Sequence, residues 1–137
     1  MANPSDHVEA LIHEPTQTGD DGVDLTAEYI ARIDYGGDID FGGDEYHPPE
    51  TDAVGLDYRD EDDEYGWWEL EAGTYLVRYN ETLADLDEPL LLAPHRRLVS
   101  LGVTHPTLRV RELPRIPLTV PEGGVEIKEN ARISTLY

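Results

Sequence analysis

Apolar and polar residues alternate along much of the chain in the way that predicts short β-strands. The clearest stretch is Trp67–Thr82, WWELEAGTYLVRYNET, where Tyr75, Val77 and Tyr79 alternate with Leu76, Arg78 and Asn80. Glu71-Ala72-Gly73 marks a turn inside it. Leu90–Ala93 is an apolar run closed by Pro94, which cannot donate a ladder hydrogen bond and belongs at a strand end or edge. His95-Arg96-Arg97 follows, then a short apolar-spaced piece ending at Gly102, a predicted backbone turn. Thr104-His105-Pro106-Thr107 leads into a basic strand, Leu108–Arg111. Ile116–Val120 predicts a strand and Pro121–Gly124 a turn. Val125–Lys128 and Ala131–Leu136 predict a hairpin closed by Glu129-Asn130, since asparagine tolerates the left-handed conformation of tight turns.

The first third is less regular. Asp6 is placed to cap a short amphipathic helix with Val8, Leu11 and Ile12 on one face, Glu9 three residues past the cap and Pro15 as the stop. Thr16–Gly22 reads as a loop, and Gly22-Val23-Asp24-Leu25-Thr26 opens a strand reaching Tyr29 or further. Residues 34–66 hold two Gly-Gly pairs, Pro48-Pro49 and many acids, a pattern of short strands joined by long turns or of an acidic insertion. Asp57–Glu64 is a solvated charge run. Asp38, Asp40 and Asp44 lack the spacing and terminal glutamate of an EF-hand loop, so no structural metal is expected. Residues 1–137 read as one mainly β domain.

Charge changes this picture. Thirty acids face ten cations, nine of them arginine and one Lys128, for a net charge of −20. Such a surface repels itself in dilute buffer, whereas molar salt screens over about 3 Å. An acid-rich, lysine-poor chain is similar to proteins of salt-accumulating archaea; its two Trp, eight Tyr and strand patterns set it apart from a disordered acidic tail. The charge is also uneven. Residues 90–137 carry seven cations against four acids, so the first 89 residues carry −23 of the −20 total, offset by +3. An anion is expected in the C-terminal third, and duplex DNA or RNA is excluded for want of a broad basic face. The lack of cysteine removes disulfides, thiolate catalysis and zinc–thiolate sites. No stretch approaches the ~18 apolar residues of a membrane span, and Met1–Pro4 lacks signal-peptide character, so a cytoplasmic protein is expected.

Four segments in this order resemble the dUTPase and dCTP deaminase superfamily. Gly22-Val23-Asp24-Leu25 resembles its early Gly-x-Asp-Leu step, and Leu70–Val77 its Leu-x-Pro-Gly-x-Tyr-x-Val strand. Pro94-His95-Arg96-Arg97-Leu98 stands where Pro-Arg-Ser-Ser-Leu would be, and Gly124–Ile133 resembles the last hairpin, which usually ends Arg-Ile-Ala-Gln-Leu. The resemblance implies a dUTPase-like β-clip or distorted β-barrel with a short N-terminal helix. It also implies a homotrimer with sites between subunits, dUTP or dCTP as ligand, and magnesium carried on the substrate phosphates rather than by the protein.

It further implies candidate site residues. Val110-Arg111-Glu112 aligns with the Val-x-Asp that carries the dUTPase base, which makes Glu112 the candidate catalytic base. Arg96, Arg97, Arg111 and Arg115 are candidate phosphate ligands through forked hydrogen bonds, His95 is a further candidate phosphate contact when protonated, and Asp24 is a candidate substrate-binding carboxylate beside them. The signature itself has changed. Arginines replace the serines, Leu113-Pro114-Arg115 replaces the Gly-Tyr step that packs under the sugar, and Tyr137 ends the chain without a glycine-rich arm. Nor does Ile116–Val120 carry the deaminase glutamate. Three readings stay open: an active pyrimidine nucleotide hydrolase using Glu112, a homologue without catalysis that binds nucleotide or regulates a partner, or a structural β module with no ligand. The ordinary alternatives are a strand-end Glu112 paired with Arg109 or Arg111, an edge carboxylate at Asp24, and solvent-exposed turn histidines at His95 and His105.

Overall fold

The computed structural model describes residues 4–19, 22–84 and 86–137. Residues 1–3, 20, 21 and 85 lie outside it, and with them the start of the N-terminal segment and part of the expected Thr16–Gly22 loop. After a 3-10 turn at Pro4–His7 the strands are β1 (Val8–Glu9), β2 (Val23–Tyr35), β3 (Asp38–Ile39), β4 (Tyr46–His47), β5 (Glu50–Ala53), β6 (Trp67–Leu70) and β7 (Gly73–Tyr79). Then come β8 (Thr82–Leu83), β9 (Leu90–Pro94), β10 (Leu108–Val110), β11 (Ile116–Val120), β12 (Val125–Lys128) and β13 (Arg132–Leu136). Two short helices, α1 (Glu14–Gln17) and α2 (Arg96–Ser100), lie between strands.

The protein is mainly β, built on a curled half-barrel sheet of order β10-β9-β13-β2-β7-β11, with β5 also on β2. All its pairings are antiparallel. The 13-residue β2 is the hub: its first residues pair with β13 and its later ones with β7 and β5. Alternation explains the burial. Tyr75, Val77 and Tyr79 of β7 point inward, as do Ile116, Leu118 and Val120 of β11, and they meet Leu25, Ile30, Leu92, Ile133 and Leu136 in one apolar cluster. Each such aliphatic side chain contributes about 1.5–3 kcal/mol by leaving water.

Two expectations need correction. The N-terminal amphipathic helix does not form. Val8 and Glu9 pair instead with Leu83 and Thr82, Ala10 has φ 65, and Pro15 lies in the first turn of α1, where its missing N–H costs nothing. A seven-residue helix has too little hydrogen bonding to offset its nucleation, so the tertiary partner of Val8 decides. The C-terminal hairpin is also absent as a pair. Glu129-Asn130 does make the turn, with Asn130 at φ 65 and Ala131 N–H bonded to Lys128 O, but β12 pairs with β6 while β13 enters the sheet between β2 and β9. The turn is a corner that passes the chain from one sheet to another.

Candidate functional site

Asp24, the third residue of the Gly22 step, is the centre of a polar cleft. Its Oδ1 accepts from the Thr135 hydroxyl at 2.9 Å, and its Oδ2 lies 3.3 Å from Arg132 Nη1 and 3.3 Å from His95 Nε2. Strict period two would put Arg132 and Thr135 on opposite faces of β13. The register shift between Arg132 and Ser134 removes that conflict, because a bulge re-aims the side chains around it. Gly22 allows the approach: a Cβ there would stand 2.4 Å from Leu136 O, so only glycine lets β2 start so close to β13. Gln17 of α1 donates to Asp24 O at 2.9 Å and joins the same wall.

Pro94 ends β9, and His95 caps α2. Its Nδ1 accepts from Arg97 N–H at 3.1 Å, so the ring proton lies on Nε2, facing Asp24. His95 N–H bonds to Ile133 O, which ties the cap to β13. Arg96, next on α2, stands exposed at the mouth of the cleft. The cleft encloses about 310 Å³ between α1, the start of β2, α2 and the end of β13, at the small end of ordinary ligand sites. A wider concavity of about 820 Å³ is walled by Glu69, Glu71, Glu122 and Glu126, the wrong sign for phosphate.

Asp24, His95 and Arg96 are thus brought together. Arg97, one residue further on α2, lines a different pocket with Trp67 and Lys128. Glu112 and Arg111 lie with Arg109 in a shallow depression beside β10, and Arg115 is exposed on the loop that follows. Val110 pairs with Leu90, at the end of β9 remote from Pro94; five strand residues put the two groups about 13 Å apart along that strand. Glu112 makes no ion pair among the described residues, with either Arg109 or Arg111.

The histidines are not exposed turn residues: His95 is 7% and His105 6% exposed. His105 donates from Nδ1 to Pro106 O at 2.9 Å, and its Nε2 accepts from Ser134 Oγ at 2.8 Å, whose oxygen in turn accepts from Tyr79 OH at 2.5 Å. Burial lowers the His105 pKa and raises that of Tyr79, so both stay neutral near pH 7. Sequence reasoning missed this chain, and also missed Arg132, Thr135 and Gln17. A bulge and a long-range pairing place those three, and neither leaves a local signal.

Ion pairing separates the arginines. Arg32, Arg59 and Arg78 pair with Asp34, Glu126 and Glu28, and Arg132 with Asp24. Arg96, Arg97, Arg109, Arg111 and Arg115 pair with no acid among the described residues. No group of three or more His, Asp or Glu that could hold a metal ion occurs among the described residues, and no helix there is long and apolar enough to cross a membrane. No family model matches the sequence, and no curated protein matches it significantly.

Proposed function

We propose that the protein is a dUTPase-like homologue that binds a pyrimidine deoxynucleoside triphosphate, dUTP or dCTP, without hydrolysing it. The observation that carries the reading is the set of five arginines, Arg96, Arg97, Arg109, Arg111 and Arg115, without acidic partners among the described residues of a chain with thirty acids. Cations that a strongly acidic protein does not neutralise internally are available to an external anion, and arginine is suited to phosphate oxygens. In this reading the nucleotide enters the Asp24–His95 cleft, with Arg96 on its phosphates and magnesium arriving on those phosphates. Trimer formation, work in molar salt and a cytoplasmic setting are parts of the same proposal, supported by the sequence resemblance and the charge.

The lack of catalysis is inferred from Glu112. A general base must lie within hydrogen-bond reach of the water it activates; within one chain Glu112 lies outside the cleft and makes no ion pair among the described residues, and Leu113-Pro114-Arg115 stands in place of the Gly-Tyr step that would pack under the sugar, a loss that a neighbouring subunit of the same sequence does not restore. The test is product analysis with dUTP and dCTP in molar KCl, with and without magnesium. Saturable binding without product is expected. Magnesium-dependent dUMP formation abolished by Glu112→Gln would overturn the non-catalytic reading in favour of an active hydrolase.

A further inference from the structure

Residues 36–49 form an arm whose strands β3 and β4, among the described residues, pair only with each other. Ile39 lies directly opposite Tyr46, Asp40 N–H bonds to Glu45 O at 2.9 Å, and Asp40 Oδ1 accepts from Gly43 N–H at 2.6 Å. At its neck a Cβ on Gly37 would stand 2.0 Å from His47 O, so only glycine lets the two sides meet. The arm is therefore built, yet its apolar side chains face water: Tyr35, Ile39 and Tyr46 are exposed and Phe41 at the tip is fully so. A lone two-stranded hairpin is marginal in water and gains stability only against a surface.

A surface of matching chemistry exists elsewhere on the molecule. A pocket of about 330 Å³ between α2 and the β12–β13 corner is lined by Trp67, Leu98, Leu101 and Ile127, with Leu101 exposed at its edge. Arg97, Lys128 and Arg132 also line it, and Arg59 stacks 3.4 Å from the Trp67 ring centre. Of these four cations Arg59 pairs with Glu126 and Arg132 with Asp24, while Arg97 and Lys128, the sole lysine, pair with no acid among the described residues. The arm carries the opposite pattern, an apolar tip between Asp38, Asp40, Asp44 and Glu45.

The arm cannot fill the pocket of its own chain. Thr26 of β2 pairs with Arg132, and Tyr35 is nine residues further, about 30 Å along the strand. A hairpin arm of 14 residues, seven per side, extends at most about 23 Å, and it starts from that far end.

We infer that the arm of one copy, with Phe41 leading, inserts into the Trp67–Leu101 pocket of a second copy. The contact is heterologous, one surface of each copy against a different surface of the next, as required for a closed ring. In molar salt the Phe41 contact carries it, because salt strengthens apolar burial and screens the charges; in dilute buffer the acid–cation match adds to it. The inference is independent of the nucleotide reading.

The absence of native cysteine makes the test direct. Two single-cysteine variants, Gly42→Cys, which keeps Phe41 and has room for a side chain, and Leu101→Cys, are mixed under mild oxidant in molar KCl, with Asp62→Cys in the exposed acidic loop as the control partner for Leu101→Cys. The expected result is a 42–101 heterodimer formed at least tenfold faster than the 62–101 pair. Light scattering should show more than one chain per particle, with Phe41→Ser weakening association about 30-fold or more while circular dichroism is unchanged. A wild-type monomer, equal cross-linking of 42 and 62, or a dominant 42–42 product would each overturn the inference.

Discussion

His95 turns one face of its ring to its own helix and the other to Asp24: Nδ1 accepts from Arg97 N–H at 3.1 Å, and Nε2 lies 3.3 Å from Asp24 Oδ2. The helix cap thereby fixes the tautomer that the carboxylate needs. Asp24 also takes Arg132 and Thr135, so this carboxylate ties β2, α2 and β13 together around the cleft. Asp24→Asn should destabilise the protein by about 1–3 kcal/mol, because Arg132 loses its charged partner in a half-buried setting. Denaturant unfolding in molar KCl measures this, and His95→Gln should cost less than Asp24→Asn.

Glu81 is a buried carboxylate that makes no ion pair among the described residues. Its oxygens accept from Thr26 N–H at 2.9 Å, Thr26 OH at 2.5 Å and Gln17 Nε2 at 2.9 Å, all donors. Glu81→Gln would turn an amide N–H₂ toward one of these donors. A loss of about 1–3 kcal/mol is expected, the cost of leaving a buried polar group without its partner. An unchanged unfolding midpoint would remove Glu81 from the list of groups that hold α1 to β2.

His105 gives a pH dependence with a definite sign. Burial lowers its folded-state pKa below the ordinary 6.5, so the unfolded chain takes up the proton first. The stability it contributes is present above pH 6.5 and is lost as pH falls below that value. The wild type should lose more stability between pH 7.5 and 5.5 than His105→Gln does, compared at one high salt concentration. Parallel curves would mean that His105 does not titrate differently on folding.

Glu112→Gln should change neither stability, beyond about 0.5 kcal/mol, nor nucleotide affinity, since the side chain is exposed and makes no ion pair among the described residues. Calorimetry on that variant checks both. A different outcome is expected from salt. With a net charge of −20, raising KCl from about 0.1 M to molar shortens the screening length from about 10 to about 3 Å and should raise the unfolding midpoint.

Strand positions were legible where one face of a segment is buried. Tyr75, Val77 and Tyr79 sit inside as their alternation requires, Pro94 ends its strand, and Gly102 turns the chain with φ 80. Partners were less legible than positions. Asn130 announces a left-handed turn at φ 65, but nothing local says that the strands it joins belong to different sheets. Val8 obeys a helical spacing with Leu11 and Ile12, yet pairing with Leu83 wins. Around the cleft, the places of Asp24, His95 and Arg96 beside Gly22 and Pro94 could be read from the chain, while Arg132 and Thr135 reach Asp24 through a bulge that binary patterning cannot register. The burial of His95 and His105 depends on contacts with β13, remote in sequence, and polarity alone suggested the opposite.

The central claim, a nucleotide held at the Asp24–His95 cleft with its phosphates on Arg96, is tested most directly by titrating dUTP and dCTP into the protein in molar KCl with magnesium. Isothermal calorimetry on wild type and Arg96→Ala should show saturable binding by the former, weakened about tenfold or more in the latter, a loss on the scale of one charge-assisted phosphate contact. No heat and no competition from either nucleotide, with folded wild-type protein, would contradict the account. So would equal affinities for the two proteins.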